Sequence, residues 1–187
     1  KKEIRRLTLK DGSKIPFLPS IHYPNFHKFT SANHFPIVVS IGNTRNGQGK
    51  MKISSAEELS DLQGMLCLLN NSSQVEVEPF VDVKYDLHVQ KIGRSYKTFA
   101  RRSISHEWKS NAAASVLEQV PTTPRHVEYV EAISSHLGGC QILSIDILVS
   151  RDNREFVHSL SDALRYFGES AEEDRRAVTG LLRHLLW

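Results

Sequence analysis

The sequence lacks several features that assign a protein to a class at once. Its only two cysteines, Cys67 and Cys140, exclude a disulfide scaffold and fit no zinc-binding pattern. Its uninterrupted apolar runs are short, so no segment is long enough to span a membrane. Lysine and arginine number 24 against 21 acidic residues, an excess too small to predict a nucleic-acid-binding protein. We therefore expect a cytosolic protein with two reduced, partly buried thiols.

Signatures of common enzymes and metal sites are missing as well. None of the nine histidines lies four residues from another, so there is no helical His-x-x-x-His metal site. The sequence has no Gly-x-Ser-x-Gly motif of the serine hydrolases. The glycine-rich loop of residues 42–50 is not a Walker A motif, because Lys50 enters a strand and is not followed by serine or threonine.

What the sequence does contain is the pattern of an α+β fold. Hydrophobic residues make up 40% and charged residues 24%, as in an ordinary globular domain. Short apolar or alternating segments predict antiparallel strand pairs, and longer apolar stripes predict three helices. The predicted strands are 36–41, 50–53, 74–81, 84–92, 96–103, 140–149 and 154–161, and the predicted helices begin at 54, 124 and 172. Residues 104–123 are predicted to form an extended loop.

Two local patterns predict details within these elements. Ser54-x-x-Glu57 fits a capping box, followed by an apolar stripe of Leu59, Leu62, Leu66 and Leu69. In the late hairpin, a turn over 150–153 would place Val149 opposite Arg154. One face of that hairpin would carry Ser144, Asp146, Ser159 and Ser161, and the other would carry Ile145, Ile147, Phe156 and Leu160. The polar face would be a ligand floor or simply a solvated surface.

The glycine-rich loop is the first candidate binding element. Gly42, Gly47 and Gly49 leave backbone N–H groups able to face a phosphate, and Arg45 and Lys50 add positive charge. The alternative is a flexible hairpin loop with no ligand, because three glycines alone are a weak motif.

Three further places carry candidate residues, each with a plainer alternative. The segment Glu78–Val81 sets an acidic residue beside proline and apolar side chains, which suits the rim of an adenine pocket or merely ends a strand. Asp86 and His88 share the polar face of strand 84–92, a face that is usually solvated. Lys109 and Asn111, two residues apart in a loop, are placed to reach an anionic ligand, although loops carry such residues anyway.

Longer runs of the sequence are more specific than these candidate residues. They include Glu78-Pro79-Phe80-Val81-Asp82-x-Lys84-Tyr85-Asp86, Val89-Gln90-Lys91-Ile92-Gly93-x-x-Tyr96-Lys97 and Trp108-Lys109-x-Asn111. These runs resemble the ATP-binding domain of the synapsin family, which is the C-terminal part of an ATP-grasp fold, and the resemblance covers roughly residues 15–180. On these runs, residues 1–187 are identified as a synapsin-like ATP-binding domain.

The resemblance implies a site as well as a fold. ATP would bind in a cleft between two α+β layers, with the loop 42–50 closing over the phosphates. The nucleotide-binding residues it implies are Gly42, Arg45, Gly47, Gly49, Lys50, Glu78, Phe80, Val81, Asp86, Lys109 and Asn111. Nucleotide binding in the family is linked to calcium through acidic residues of the late hairpin, which makes Asp146 the expected ligand of Ca²⁺ or Mg²⁺.

The resemblance also implies a cellular role. Synapsins are cytoplasmic proteins on the surface of synaptic vesicles at presynaptic terminals, where they tether vesicles to one another and to actin. They tune neurotransmitter release, form dimers and have no established ligase reaction. We therefore expect a non-enzymatic, ATP-binding regulatory module that forms a homodimer in the full protein and binds no nucleic acid.

Three positions depart from the family's pattern. Ser40 stands where the strand before the glycine loop usually carries a phosphate-contacting lysine, and His88 stands where the polar strand often carries arginine. Asp146 and Ser159 correspond to the two metal-ligand glutamates of some members. These exchanges predict weaker nucleotide binding and a metal dependence that is changed or lost.

Compared with the ATP-grasp unit of the family, the sequence begins inside that unit. We therefore expect a piece of a longer protein without the preceding subdomain.

Two alternative functions remain. The first is a scaffold that keeps the fold for dimer and vesicle contacts but has lost ATP. The second is an ATP-grasp carboxylate–amine ligase, which needs a metal clamp and positive charge that Ser40, His88 and Ser159 do not supply.

Overall fold

The computed structural model of the protein describes residues 4–29, 31–32, 34–42, 49–68, 73–103, 115–164 and 170–186. These residues fall into two units. The small unit takes its described residues from Leu18–Asp82, and the large unit takes its own from Lys1–Phe17, Val83–Ser103 and Ser115–Trp187.

The small unit is a four-stranded sheet with one α-helix. Its strands, in chain order, are β1 (Ile21–Tyr23), β2 (Ile37–Ile41), β3 (Lys50–Ile53) and β4 (Val75–Pro79), and α1 (Ala56–Leu68) follows β3. The strands lie in the order β1-β4-β2-β3, and every neighbouring pair is antiparallel. The core lies on the α1 side, where the apolar faces of β2, β3 and β4 pack with the leucines of α1. The sheet's other face is therefore left for polar side chains.

Helix α1 begins at Ala56, two residues after the predicted start, and its capping residue is Ser55, one residue after the predicted Ser54. The Ser55 hydroxyl accepts from the Glu58 backbone N–H at 3.3 Å, and the Glu58 carboxylate accepts from the Ser54 N–H at 2.7 Å. The predicted pairing of Ser54 with Glu57 is therefore wrong, because serine and glutamate each occur twice in succession and the local pattern fits either register. Leu59, Leu62 and Leu66 are buried, as their spacing predicts, whereas Leu69 lies outside the described residues.

The large unit is built on a five-stranded antiparallel sheet. Its strands are β5 (Val83–Ile92), β6 (Ser95–Ser103), β7 (Ser115–Val120), β8 (Ile142–Ser150) and β9 (Glu155–Ser161), in the order β7-β6-β5-β8-β9. The helices are α2 (Pro124–His136) and α3 (Ser170–Leu186). Strand β7 contradicts the predicted loop over 104–123. It is an edge strand with exposed Val116 and Leu117, so its sequence lacks the alternation of a half-buried strand.

The two faces of this sheet differ sharply in polarity. The α2 face is the core of the unit and includes Leu87, Val89, Ile145, Ile147, Tyr129, Val130 and Ile133. Leu9 and Ile15 of the N-terminal segment join this core, and the Val157 N–H donates to the Pro16 carbonyl at 2.8 Å. The opposite face carries Asp86, His88 and Gln90, all of them buried. A buried polar face must satisfy its hydrogen bonds internally, which makes it the part of the unit to search for function.

Helix α2 is bound to the apolar face by one charged network. Lys91 is buried there, and its ammonium donates to the Glu131 carboxylate at 2.6 Å and to the Ser134 hydroxyl at 3.2 Å. The Tyr96 hydroxyl donates to the same carboxylate. Burial, and to a smaller extent the hydrogen bond and the charge of Glu131, raise the pKa of Tyr96 to about 12. Burial would raise the pKa of Glu131, but the hydrogen bonds from Lys91 and Tyr96 outweigh it and lower that pKa.

The late hairpin has the predicted faces but a different register. Val149 faces Glu155 and not Arg154, and a bulge after Asp146 shifts the pairing by one more residue, so that Asp146 faces Ser159. The two shifts together restore the side-chain alternation, which leaves the predicted polar set of Ser144, Asp146, Ser159 and Ser161 on one face. Phe156 was predicted on the apolar face and is wrong, because it pairs with Leu148 before the bulge.

The remaining predictions for the fold have mixed outcomes. The α+β class with antiparallel sheets is confirmed, and α2 begins as predicted, with Thr123 accepting from the His126 N–H at 3.2 Å ahead of Pro124. Cys140 is half-buried, but Cys67 is exposed because it lies on the outer side of α1. Among the described helices, none combines the length and apolarity that crossing a membrane requires.

Candidate functional site

One group of predicted site residues lies on the polar face of the small unit's sheet. Ser40 of β2 is flanked by Lys50 on β3 and by Glu76 on β4. Two residues earlier, Val38 is flanked by Lys52 and Glu78 in the same way. Because cross-strand partners project to the same side, Lys50, Lys52 and Glu78 share a face with Ser40. This face thus carries two lysines on the edge strand β3 and two carboxylates on β4, with β2 lying between the two strands.

Lys52 is a candidate that the sequence analysis missed. Its ammonium lies 3.9 Å from the centre of the Phe80 ring, which the resemblance assigns to the adenine edge. A cation over an aromatic face is held there electrostatically. The signal that could have found Lys52 is the period of two in β3, which puts it on the same face as Lys50.

The ends of the glycine-rich loop have the backbone geometry that requires glycine. Gly42 has φ of +69° and Gly49 has φ of +74°, a region that other residues rarely adopt. The Ile41 N–H donates to the Gly49 carbonyl at 2.9 Å, and the Gly42 N–H donates to the Gln74 carbonyl at 2.8 Å. These bonds close the base of the loop onto β2 and β4. The predicted contacts Arg45 and Gly47 lie outside the described residues, as do Lys109 and Asn111.

The end of β4 places the predicted adenine-edge residues. Glu78 is buried at 8% exposure, and Phe80 and Val81 are half-buried directly after the strand. The Phe80 N–H donates to the Pro36 carbonyl at 3.1 Å, which holds the segment against the start of β2. Glu78 therefore turns toward the same polar face as Lys52, whereas the backbone N–H of Phe80 is already bonded within the protein.

The second group of predicted residues lies in the large unit, on the polar face of β5, β8 and β9. His88, Asp146 and Ser159 stand in one cross-strand row. The His88 Nδ1 lies 2.7 Å from Asp146 Oδ1, and the Ser159 hydroxyl donates to Asp146 Oδ2 at 2.6 Å. Because the serine bonds to the carboxylate and not to the imidazole, this row is not the arrangement that activates a serine nucleophile.

Asp86 lies two residues before His88 and is engaged by an arginine. The Arg101 guanidinium contacts Asp86 Oδ2 through Nη2 at 2.6 Å and through Nε at 3.1 Å. Asp86 is nearly buried, but 28% of the Arg101 side chain is exposed. Arg101 therefore brings a fixed positive charge to the face on which the resemblance leads one to expect an arginine in place of His88. The sequence analysis missed it because the pairing of Asp86 with Arg101 depends on the β5–β6 register.

Helix α3 is anchored on the same face by a buried ion pair. The Lys97 ammonium donates to Asp174 at 2.7 Å and to Glu173 at 2.6 Å, and Gln90 donates to Asp174 at 3.0 Å. Burial lowers the pKa of Lys97, but its hydrogen bonds and attraction to the two carboxylates outweigh burial and raise that pKa overall. The positive charge of Lys97 is thus neutralised by the α3 carboxylates that it holds.

The donors on this face suit a divalent cation poorly. Asp146 is the predicted ligand, and both of its oxygens already accept from the chain. Ser159 brings no charge, and no group of three potential metal ligands occurs within the described ranges. Calcium and magnesium require several oxygen ligands, usually including carboxylates with lone pairs available. Asp146 as a metal ligand therefore stays a prediction that this arrangement disfavours.

Comparisons with known proteins assign the family and the fold. The sequence model of the family described as "Synapsin, ATP binding domain" matches residues 4–185. A synapsin of Drosophila melanogaster is 31% identical over 183 residues, which cover 96% of this chain and 18% of the fly protein. The chain thus corresponds to less than a fifth of the length of that relative.

Solved structures similar to the chain include several enzymes at low sequence identity. The macrocyclase MdnC of Microcystis aeruginosa, bound with its precursor peptide, has a TM-score of 0.64 at 14% identity, over 91% of this chain and 56% of that one. The N5-carboxyaminoimidazole synthetase of Staphylococcus aureus, in complex with ADP, has a TM-score of 0.61 at 15% identity, over 85% and 43%. The ATP-grasp ligase PsnB scores 0.61 at 13% identity, over 89% and 55%. These likenesses show an ATP-grasp fold.

Proposed function

This chain belongs to the synapsin family, and from that premise we propose that it is an ATP-binding regulatory module of a synapsin-like vesicle protein. Its role would be to control vesicle tethering and neurotransmitter release from the cytoplasmic surface of synaptic vesicles. The observation that carries the proposal is the match of the family's ATP-binding domain over residues 4–185. We expect vesicle contacts, actin contacts and dimer formation to involve the full protein, because the chain matches only 18% of the length of the fly relative.

The small unit supports nucleotide binding through its charges. Lys50 and Lys52 lie on one edge strand beside Ser40, directly after a loop whose ends are shaped by Gly42 and Gly49. Lysine ammonium groups are common phosphate ligands, and glycine backbones allow close approach to phosphate. Two lysines on β3 thus offset part of the charge that is lost with serine at position 40. We infer that the triphosphate contacts this face of the small unit.

The direct test is calorimetric titration of ATP into the chain and into a form with the upstream half restored. Lys50→Gln is expected to weaken ATP binding by about tenfold, since a hydrogen bond to a charged group contributes about 1.5–3 kcal/mol. Lys10→Gln is the matched control, because Lys10 is an exposed lysine of the large unit. Equal affinities for these two variants would refute the phosphate role of Lys50.

Ser40→Lys tests the family departure from the opposite direction. The substitution restores the usual lysine to a strand position flanked by Lys50 and Glu76. It is expected to raise ATP affinity by about tenfold, provided that the unfolding midpoint is unchanged. An unchanged affinity would show that position 40 does not face the phosphates.

The alternatives predict different results in the same experiments. A scaffold would bind no ATP in either form, and its function would then depend on its surface contacts. An ATP-grasp ligase would release phosphate when supplied with an acid and an amine, as expected of the enzymes that share this fold. The polar face of the large unit's sheet argues against the ligase. Its carboxylate Asp86 is engaged by Arg101, and its carboxylate Asp146 is engaged by His88 and Ser159.

A further inference from the structure

The row His88–Asp146–Ser159 satisfies a carboxylate from both sides. The β5–β8 register sets His88 opposite Asp146, and the bulge in the late hairpin sets Ser159 opposite Asp146 from the other neighbour. A carboxylate only accepts hydrogen bonds, so the Nδ1 of His88 is the donor at 2.7 Å and the Ser159 hydroxyl is the donor at 2.6 Å. One donor thus reaches each oxygen of Asp146.

The row is also enclosed. The side chain of His88 is only 8% exposed and that of Asp146 is 20% exposed. The bulge is what brings Ser159 into line, since without it the pairing of Ile147 with Val157 would continue with Asp146 facing His158. A specific backbone irregularity therefore places the hydroxyl on the carboxylate, and bulges are features that re-aim side chains.

The other carboxylates of this face have partners of their own. Asp86 is held by the guanidinium of Arg101, and Asp174 is held by Lys97 and Gln90. A divalent cation bound by Asp86, Asp146 or Asp174 would have to compete with a charged or hydrogen-bonded donor at each of them. Since Ca²⁺ takes 6–8 oxygen ligands and Mg²⁺ demands octahedral geometry, such competition leaves too few oxygens.

We propose that Asp146 holds no divalent cation, because His88 and Ser159 each donate to one of its oxygens and position 159 brings no second carboxylate, and that nucleotide binding is therefore not coupled to Ca²⁺ or Mg²⁺ through this strand pair. The nucleotide part rests on the proposed function. The cation part does not, because it concerns Asp146 whether or not ATP binds.

The first experiment measures the metal alone on the nucleotide-free chain. Mn²⁺, which carboxylate sites accept readily, is titrated and the free ion is followed by electron paramagnetic resonance. Asp146→Asn is compared with Asp152→Asn, an exposed aspartate in the turn of the same hairpin. Mn²⁺ binding is expected to be equally weak in the parent and in both variants. A site that Asp146→Asn weakens by about tenfold or more, and Asp152→Asn does not, would overturn the proposal.

The second experiment measures ATP affinity in chelator, in Ca²⁺ and in Mg²⁺. The three values are expected to agree within about threefold for the parent chain. A cation requirement that disappears in Asp146→Asn would overturn the proposal while leaving the proposed function intact. If ATP binds under none of these conditions, the proposed function fails, and the Mn²⁺ titration alone decides the role of Asp146. Unfolding midpoints of both aspartate variants verify that each remains folded.

Discussion

Replacing Lys97 by methionine removes the charge that holds helix α3 on the polar face of the large unit. The Lys97 ammonium lies 2.7 Å from Asp174, whose side chain is only 1% exposed, and 2.6 Å from Glu173, whose side chain is 74% exposed. Lys97→Met leaves the Asp174 carboxylate buried without its cation, which in proteins costs about 3–5 kcal/mol. We expect the low end, about 3 kcal/mol, because Gln90 still donates to Asp174 at 3.0 Å.

Urea unfolding followed by circular dichroism measures this cost. With an unchanged slope of about 2 kcal/mol/M, the midpoint of Lys97→Met should fall by about 1.5 M. Glu173→Gln is the matched control, because it removes the exposed partner of the same lysine and should cost under about 1 kcal/mol. The double change Lys97→Met with Asp174→Leu should recover most of the loss, since it leaves no buried charge unpaired.

Equal decreases in the midpoint for Lys97→Met and Glu173→Gln would refute this expectation, because they would mean that burial of Asp174 does not set the strength of the pair. A double variant no more stable than Lys97→Met would refute the same point independently, by showing that packing around α3 and not the lone carboxylate carries the cost.

Two other predictions follow from local geometry. Ser55→Ala should lower the free energy of unfolding by about 1 kcal/mol, because the Ser55 hydroxyl caps α1. Ser54→Ala should change it by less than about 0.5 kcal/mol, since Ser54 contributes its backbone N–H to the cap. If urea unfolding showed the larger loss for Ser54→Ala, the capping residue predicted from the sequence would be correct. The raised pKa of Tyr96, about 12 against an ordinary 10.0, contributes stability that is present below pH 10 and lost as the pH rises toward 12. The stability advantage of the parent over Tyr96→Phe should therefore shrink across that window by about 1 kcal/mol, less than the full shift implies because the ring is partly exposed. A stability difference independent of pH would contradict the raised pKa of Tyr96.

Most of the fold could be predicted because its signals are local. The hairpin of β5 and β6, the helix after Thr123 and Pro124 and the leucine stripe of α1 all follow from periodicity and from capping residues. The elements that failed depend on partners far along the chain. Strand β7 has an exposed, weakly alternating sequence, and only its pairing with β6 gives it regular hydrogen bonds.

The candidate site divides in the same way. The left-handed backbone at Gly42 and Gly49 could be predicted from the sequence, because glycine adopts that geometry far more readily than other residues. Arg101 could not, since it joins its site through a cross-strand neighbour, whereas the period of two in β3 could have indicated Lys52. The burial of His88 was also hidden, because an alternating strand with one polar face ordinarily turns that face to water.

The family, the α+β class and the polar residues of each predicted strand follow from the sequence alone, since these depend on residue types and on their spacing along the chain. Which of those residues satisfy one another's hydrogen bonds depends on the tertiary fold. One bulge sets Ser159 on Asp146, and the β5–β6 pairing sets Arg101 on Asp86. Register is a long-range property, because a shift of one residue moves a strand's whole polar set to the other face. The charges available to a ligand are therefore those that the sheet pairing leaves over.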